Sequence, residues 1–360
     1  MLKTEFCERF ALDYPIIQAP MAGVSNPHLA AEVLKAGALP SLGCGAMSAA
    51  ALDKSISEFT ALCGTDKSPL VNINFFAHQE EEVDVAANAA WLKELAPLFD
   101  GFGGQAPDSL NVIYHSLLTD DERVAVLLDK RPQIVSFHFG LPSVNVLNKL
   151  KEAGIAIFAS ACHVDEAQKL EAAGVDYIVA QGYEAGGHRG IFDPNRDEQM
   201  TTLDLLKQIK QHCRTPVIVA GGLMTGQEIR TMLEHGAEAV QLGTAFLLCP
   251  ESSAPETYRA QLREHAVSNP ETLVSAVISG RPARGLRTKL SDLGAQLIQE
   301  KGLKRPAYPV LYDANKQLND VALKQNDDGY GAYWSGMGLA KIREMPAQQL
   351  VALLVKEATA

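Results

Sequence analysis

The feature that most constrains the fold is a repeated alternation of short apolar runs with segments of helical periodicity. Eight runs rich in Val, Ile and Ala are almost continuously hydrophobic. Such runs are typical of parallel strands that are covered on both faces. They are Tyr14–Ala19, Ala38–Gly43, Leu70–Phe75, Ile134–Phe139, Ile155–Ser160, Tyr177–Gln181, Val217–Gly221 and Ala239–Leu242.

Amphipathic segments between these runs predict helices at Leu29–Lys35, Ala51–Leu62, Val144–Glu152, Val164–Ala172, Leu203–His212 and Gly226–His235. Four of them end in a glycine that precedes the next strand, at Gly37, Gly154, Gly174 and Gly236. Glycine readily takes the left-handed conformation that ends a helix. Eight βα units predict an α/β fold of the TIM (β/α)8 barrel type. The alternative is an open doubly wound sheet, but no GxGxxG fingerprint follows the first strand.

The repeat stops near residue 250, which indicates a C-terminal accessory region. We expect residues 1–250 to form the barrel, 251–340 to form a cap domain, and a helix within 341–360 to complete the barrel. Helical spacing places that last helix at Pro346–Glu357 and cap helices at Glu256–His265 and Leu290–Gln299. The long unit at 77–133 is predicted to be a decorated loop that contains a helix, Glu80–Phe99, and an irregular stretch, Asp100–Asp108.

Composition excludes several classes of partner. The 360 residues are 47% hydrophobic and 21% charged, as in globular proteins, and the net charge of −11 argues against a nucleic-acid partner. No apolar run approaches the roughly 20 residues that span a bilayer, and the N-terminus lacks the pattern of a secretory signal, so we expect a cytoplasmic protein without a membrane partner. The six cysteines form no CxxC pair, and no spacing of His and carboxylates resembles a metal site.

In a barrel of this type, catalytic groups lie at the C-terminal ends of the strands. Gly221-Gly222 and Gly243-Thr244 follow the last two predicted strands, where tight glycine turns often bind phosphate. Cys44 and Cys162 also lie near strand ends, although small buried hydrophobic residues are the simpler interpretation. These tips predict a site for a phosphorylated ligand such as a flavin or a sugar phosphate.

The most specific string is Gln181–Gly190, which holds four glycines, a His and an Arg and is predicted to be a ligand loop rather than a strand or helix. Within it, His188 is a candidate base or a candidate hydrogen-bond donor to an anion. Arg189 would face an anion or solvent. His138 ends an apolar strand, and alternation turns it to the barrel interior, where a polar group needs a partner. His163 follows another strand end and is the next histidine of interest.

These strings resemble the class I nitronate monooxygenases, formerly called 2-nitropropane dioxygenases, over nearly the whole chain. The matching segments are Gln18–Gly23, Asn74–Phe76, Val135–Pro142, Ala180–Gly190, Pro216–Gly222, Gln241–Phe246, Ser279–Gly285 and Tyr308–Lys316. The resemblance implies non-covalent FMN at the barrel mouth, bound by Ala19, Met21, Asn74, Gln181, Gly186, Gly221, Gly222, Gln241, Leu242, Gly243 and Thr244. It also implies that His138 and His188 are catalytic and that Tyr114, Tyr308, Tyr312 and Lys316 line the substrate pocket.

The implied reaction is oxidation of an alkyl nitronate, such as propionate 3-nitronate, by O2 through a flavosemiquinone, giving a carbonyl product with nitrite or nitrate. Because a nitronate is already deprotonated, a basic role of His188 would matter mainly for neutral nitroalkanes. As an imidazolium, His188 would stabilise the bound anion, as would Lys316. Three alternatives stay open: an NADH-dependent FMN reductase of enoyl thioesters or quinones, a catalytically silent FMN-binding sensor, and a phosphosugar barrel without flavin. The first shares the FMN strings and is the main competitor.

Overall fold

The computed structural model describes residues 2–64 and 69–360. The strands within these residues are β1 (Ile16–Gln18), β2 (Ser41–Gly43), β3 (Asn72–Phe76), β4 (Ile134–His138), β5 (Ala156–Ala161), β6 (Tyr177–Gln181), β7 (Gly187–His188), β8 (Val217–Ala220), β9 (Ala239–Leu242), β10 (Thr272–Ser275) and β11 (Ala283–Leu286). The helices are α1 (Glu5–Phe10), α2 (Pro27–Lys35), α3 (Ala49–Cys63), α4 (Val85–Gly101), α5 (Asp121–Lys130), α6 (Val144–Glu152), α7 (Val164–Ala172), α8 (Thr202–His212), α9 (Gly226–Glu234), α10 (Glu256–Ser268), α11 (Lys289–Gln299), α12 (Val310–Lys324) and α13 (Ala347–Thr359). All eight predicted parallel strands are present.

The large sheet is entirely parallel and has the order β1-β9-β8-β6-β5-β4-β3-β2. It closes on itself just before β2, where Leu39 bridges Ile17 and exchanges backbone hydrogen bonds with Ile16 and Gln18 at 2.9 and 3.0 Å. The predicted TIM-type barrel is therefore confirmed, and the open sheet is excluded.

Local chemistry explains the regular βα repeat. Polar N-cap side chains open most of the barrel helices, and the Thr225–Glu228 capping box starts α9. The four helix-ending glycines named above all have positive φ, between +71° and +88°. Apolar residues that point outward from the strands pack under the helices in one large core, whereas α1 covers the bottom of the barrel with Phe6 and Phe10.

The C-terminal half of the chain contributes both to the barrel and to a cap over its mouth. Helix α13 packs between α9 and α2, as expected for a helix of the barrel ring. Helix α4 of the long insertion packs on α12, and a separate apolar core joins the two. The boundaries at residues 250 and 340 remain a proposal, because packing alone does not define where a domain begins.

Several elements differ from the expectation. Helix α4 starts at Val85, capped by Asp84, five residues later than predicted, because the acidic stretch before it is extended. Helix α5 in the insertion and helix α12 in the cap were not predicted, although α12 begins within the matching string Tyr308–Lys316. The loop prediction for Gln181–Gly190 was wrong at two residues, because Gly187–His188 pairs with β11 as an edge strand, and β10 extends that antiparallel sheet.

Candidate active site

A cavity of about 330 Å³ opens at the C-terminal ends of the barrel strands and lies beneath the cap. Its volume falls within the range of small-molecule sites in proteins. None of its described lining residues is Asp, Glu, Lys or Arg, so the wall carries no formal charge. All eleven residues predicted to contact a cofactor line it, together with His138, His188, Tyr114 and Tyr312. The sequence therefore placed the cavity correctly, while the individual roles remain proposals.

The turns after β8 and β9 form one end of the cavity. Gly221 and Gly222 have φ of +137° and +69°, and a Cβ at Gly222 would lie 2.8 Å from the Glu184 side chain. A short 3-10 turn, Thr244–Phe246, follows Gly243, so its first N–H groups have no partner within the helix. By contrast, the N-terminus of α9 is already occupied, because the Glu228 carboxylate accepts from the N–H of Met224 and Thr225.

Side-chain amides and a thioether line the middle of the cavity. Asn74 donates to Ser136 Oγ at 2.9 Å on the neighbouring strand. Met21 follows β1, and its sulfur would be 3.7 Å from a Cβ at Gly243, so it lies against the last strand tip. Gln241 lies on β9 with its side chain partly exposed to the cavity. These groups offer donors and acceptors to the edge of a planar ligand.

Gln181 and Arg189 hold the ligand loop in place. The Gln181 side-chain oxygen accepts from the Gly190 N–H at 2.7 Å and from Arg189 Nη1 at 3.0 Å, and its nitrogen donates to the His188 carbonyl at 3.0 Å. Arg189 is 1% exposed and forms a bidentate ion pair with Asp197, at 2.8 and 3.3 Å. Of the two predicted alternatives for Arg189, solvent was wrong, and the anion that it faces is the Asp197 carboxylate of its own chain.

His138 supports the same loop from below. Its Nε2 lies 3.1 Å from the His188 carbonyl oxygen, which can only accept, so Nε2 carries the proton and Nδ1 accepts from the Ser160 hydroxyl at 2.9 Å. Burial lowers the pKa of His138 to about 4. Gly190 makes this arrangement possible, because a Cβ there would lie 2.8 Å from the His138 ring. Both ring nitrogens are thus engaged, Nε2 with the loop and Nδ1 with Ser160 on β5.

His188 lies on the cavity wall, where its pairing with β11 places it opposite Ala283. Its Nε2 lies 2.8 Å from Ser279 Oγ, and that hydroxyl lies 3.1 Å from the Arg281 carbonyl. All these contacts are satisfied only when Ser279 donates to the carbonyl and His188 Nε2 donates to Ser279. Nδ1 then carries a lone pair. Burial lowers the pKa of His188 to about 3, and His138, Arg281 and His78 act in the same direction.

The cap closes the cavity with an aromatic wall. Tyr114 and Tyr312 line it, and burial raises the pKa of each phenol to about 12. The other two residues implied by the resemblance do not line the cavity. Tyr308 is buried behind His188, with ring centroids 5.5 Å apart, and Lys316 is exposed and reaches Tyr114 Oη at 3.0 Å from the outer side.

The cap also contributes residues that sequence reasoning missed. Trp334 lies beside His188, with ring centroids 5.3 Å apart, and donates to Tyr312 Oη at 3.3 Å. Ser279 anchors His188, yet it appeared only as one letter in a matching string. Neither residue lies at a periodic position or at a strand tip. The one available signal was a tryptophan, Trp334, in a Tyr- and Gly-rich stretch, and in the structure it is partly buried.

The remaining candidates have structural partners. Cys44 and Cys162 are fully buried, do not line the cavity, and have pKa values raised to about 12 by burial. His163 lies near Asp165 and Glu198 with ligand atoms within 4.8 Å of one another. Arg196 already pairs with both of these carboxylates, at 2.8 and 2.5 Å, and Lys169 lies 3.6 Å from Asp165, so two cations of the chain accompany the two negative charges.

Within residues 2–64 and 69–360, every helix is too short or too polar to cross a lipid bilayer.

The chain is similar to proteins of one family along its whole length. The family model described as nitronate monooxygenase matches residues 3–357. A nitronate monooxygenase of Paraburkholderia phytofirmans is 49% identical over 347 residues, which cover 96% of this chain and 92% of that protein. A nitronate monooxygenase of Pseudomonas aeruginosa is 42% identical over 354 residues, 98% of each chain.

A solved structure supports the same assignment. The crystal structure of nitroalkane oxidase from Streptomyces ansochromogenes superimposes with a TM-score of 0.84 at 34% sequence identity, covering 97% of this chain and 96% of that one. Sequence and fold therefore agree over nearly all of the molecule. The chain belongs to the nitronate monooxygenase family of enzymes.

Proposed function

We propose that this enzyme uses FMN and O2 to oxidise alkyl nitronates of the propionate 3-nitronate type to a carbonyl product with nitrite or nitrate. The observation that carries the proposal is an uncharged cavity at the strand tips with a neutral, weakly basic His188 on its wall. The family assignment supports the reaction class, and the geometry supports the form of substrate.

The residues present fit FMN. A flat ring system needs small residues along its path, and glycine or alanine occupies many positions of the lining, from Ala19 to Gly338. The glycine turns at Gly222 and Gly243 and the Thr244 hydroxyl would hold the phosphate. Thr244 Oγ1 accepts from the Gly336 N–H at 3.0 Å, which leaves its own proton available to donate.

The amides of Asn74, Gln181 and Gln241 would hold the edge of the ring system, with Met21 against its face. Gln181 uses one N–H for the His188 carbonyl, so its second N–H remains available for a ligand. When bound, FMN would supply the redox chemistry, taking electrons from the substrate one at a time and passing them to O2. The protein supplies orientation and excludes water.

The low basicity of His188 supports a nitronate rather than a neutral nitroalkane as substrate. An effective base has a pKa close to the working pH, whereas burial lowers the pKa of His188 to about 3. A neutral imidazole with Nε2 bound to Ser279 can still orient a ligand through Nδ1. His138 fulfils a different role in this proposal, because its Nδ1 is bonded to Ser160 and its Nε2 positions the His188 backbone, so neither ring nitrogen is free for substrate.

Oxygen-electrode turnover on protein of known flavin content tests the proposal. We expect rapid O2 uptake with propionate 3-nitronate and slow or no uptake with NADH. Anaerobic bleaching by NADH, together with poor nitronate turnover, would instead support the FMN reductase. A yellow protein that oxidises neither the nitronate nor NADH would support the silent sensor. A colourless protein that does not take up FMN would show that the enzyme does not use this flavin.

A further inference from the structure

Five arginines of the described chain are buried, and two of them have no acidic partner. Arg123, Arg189 and Arg259 lie within 4.0 Å of a carboxylate, those of Asp120, Asp197 and Glu256. Among the described residues, Arg281 and Arg284 have no carboxylate within 4.0 Å, although they are 2% and 3% exposed. A buried charge without a counter-charge is costly, so such a residue calls for an explanation.

Arg281 lies directly behind the His188 wall of the cavity. Its guanidinium stacks on Phe139 at 4.4 Å from the ring centroid and donates through Nη2 to the carbonyls of Ile191 and Phe192, at 2.8 and 3.3 Å. Its Nε has no hydrogen-bond partner among residues 2–64 and 69–360. Its own carbonyl accepts from Ser279, the residue that anchors His188.

Phe139 separates this cation from the cavity. It has φ of +74°, an uncommon value for a bulky residue, and its ring centroid lies 4.6 Å from His138 and 5.8 Å from His188. The guanidinium charge therefore acts across one aromatic layer in a region of low dielectric, where Coulomb interactions are strong. The same charge contributes to lowering the pKa of His188, His138 and His78.

We propose that Arg281 is the fixed positive charge that makes this cavity prefer anionic substrates, acting as a positioning residue from behind His188 and Phe139. The inference rests on the proposed function, since a nitronate is an anion. In this proposal, the preference for anionic substrates comes from a buried arginine and not from a protonated histidine. It also explains why the cavity needs no charged residue on its wall.

Arg284 provides a matched control. It is similarly buried, lacks a carboxylate partner and stacks on an aromatic ring, that of Tyr183 at 4.5 Å. Arg284 is not among the groups that shift the pKa of His188 or His138. R284Q therefore removes a buried guanidinium without removing positive charge from the cavity.

The experiment compares wild type, R281Q, R281M, R281K and R284Q as flavin-loaded enzymes. Kinetic constants are measured with a nitronate and with the corresponding nitroalkane, freshly dissolved so that it is still neutral. Inorganic nitrate serves as an anionic probe, and its Kd is followed by the flavin absorbance. R281M keeps an apolar stem against Phe139, so it remains informative where R281Q does not fold.

We expect the neutral variants to raise the KM of the nitronate and the Kd of nitrate about tenfold, the fold-change that corresponds to ~1.4 kcal/mol. The neutral substrate should be unaffected, R281K should restore most of the preference, and R284Q should resemble wild type. Equal losses on anionic and neutral ligands, or the same loss in R284Q, would overturn the proposal. If wild type fails on every nitronate while nitrate binding still depends on Arg281, the proposed function fails and this inference stands.

Discussion

The barrel side and the cap side of the cavity are built in different ways. On the barrel side, the contributing residues lie on the parallel strands or in the segments that follow them, and the strands pair in a register that repeats around the barrel. On the cap side, Tyr312 and Trp334 come from a region with no repeat. Their rings lie close to His188 because the three-stranded sheet and helix α12 pack together there. The barrel side therefore determines where a ligand binds, and the cap side determines what closes over it.

The two sides also differ in how their charges are balanced. The barrel-side cation Arg189 has its own carboxylate, Asp197, inside the fold. The cap-side cation Arg281 has none within 4.0 Å in the part of the chain that the structure describes. The ion pair of Arg189 stabilises the fold. In our proposal, the unpaired charge of Arg281 instead makes the electrostatic potential in the cavity positive, which favours an anionic ligand. The predictions below test this division, from the largest expected effect to the smallest.

Gly186→Ala should have the largest effect, because it damages the barrel side where backbone segments meet. An added Cβ would lie 2.5 Å from the Gly336 nitrogen and 2.6 Å from the Ser335 carbonyl carbon. Backbone at that distance must move, so we expect most of the bound flavin to be lost, measured as FMN per chain after purification. Gly101→Ala is the control, since no other described part of the chain lies within 4 Å of its Cβ position. Full flavin retention by Gly186→Ala would place the ligand elsewhere.

Asp197→Asn should destabilise the fold by about 3–5 kcal/mol, because it leaves Arg189 buried without its partner. Denaturant unfolding with flavin content held constant measures the effect. Asp165→Asn removes an exposed pair with Arg196 instead, for which about 0–1 kcal/mol is expected. Similar losses in the two variants would contradict the distinction between the buried and the exposed pair.

Acid should weaken the fold through three histidines around the cavity. Burial lowers the pKa of His78 and His138 to about 4 and that of His188 to about 3, against 6.5 in ordinary surroundings. The unfolded chain therefore binds more protons than the folded one between these values, and the free energy of unfolding falls as the pH drops from about 6.5 towards 4. The expected slope is at most about 1.4 kcal/mol per pH unit for each histidine. A flat profile over that range would show that folding does not lower the pKa values of these imidazoles.

His188→Asn tests whether the wall histidine acts as a base. Because His188 is a weak base in this structure, we expect kcat/KM to fall by a similar factor, about 10- to 100-fold, on a nitronate and on its neutral nitroalkane. Ser279→Ala keeps the imidazole but removes its anchor, and it should produce a smaller loss of the same kind. A loss confined to the neutral nitroalkane would restore the role of a base.

Lys316→Met should have the smallest effect. Lys316 is exposed and contacts the outer side of Tyr114, at 3.0 Å from the phenol oxygen. We expect less than about a tenfold change in KM, since an exposed contact of this kind contributes about 1 kcal/mol. A large loss in kcat would mean that Lys316 reaches the reacting atoms and that the cap closes further during turnover.

Sequence patterns were sufficient for the barrel side and insufficient for the cap side, for a physical reason. A continuous apolar run followed by glycine specifies a buried strand and its tip, so His138, Gln181 and Gly222 could be placed from local chemistry. Their partners could not, because the hydrogen bond from His138 to the His188 carbonyl spans fifty residues and depends on register. Helix α12 and strand β11 are set by packing against α4 and His188, which no local pattern records.

The resemblance identified residues of the cap but not whether each one lines the cavity, is buried behind its wall, or is exposed to solvent. Tyr308 and Lys316 belong to the matching string, yet one is buried behind His188 and the other lies on the outer face. Which layer a residue occupies depends on the tertiary fold. Which aromatic residues form the wall of the cavity therefore could not be predicted from the sequence.

The most direct test of the central claim is a crystal structure of the enzyme with FMN bound. The account predicts the phosphate at the Gly222 and Gly243–Thr244 turns, the ring system beside Met21, Asn74 and Gln181, and His188 facing the open side of the ring. A flavin whose phosphate lies away from these strand tips, or whose ring is separated from His188 by the barrel wall, would contradict it.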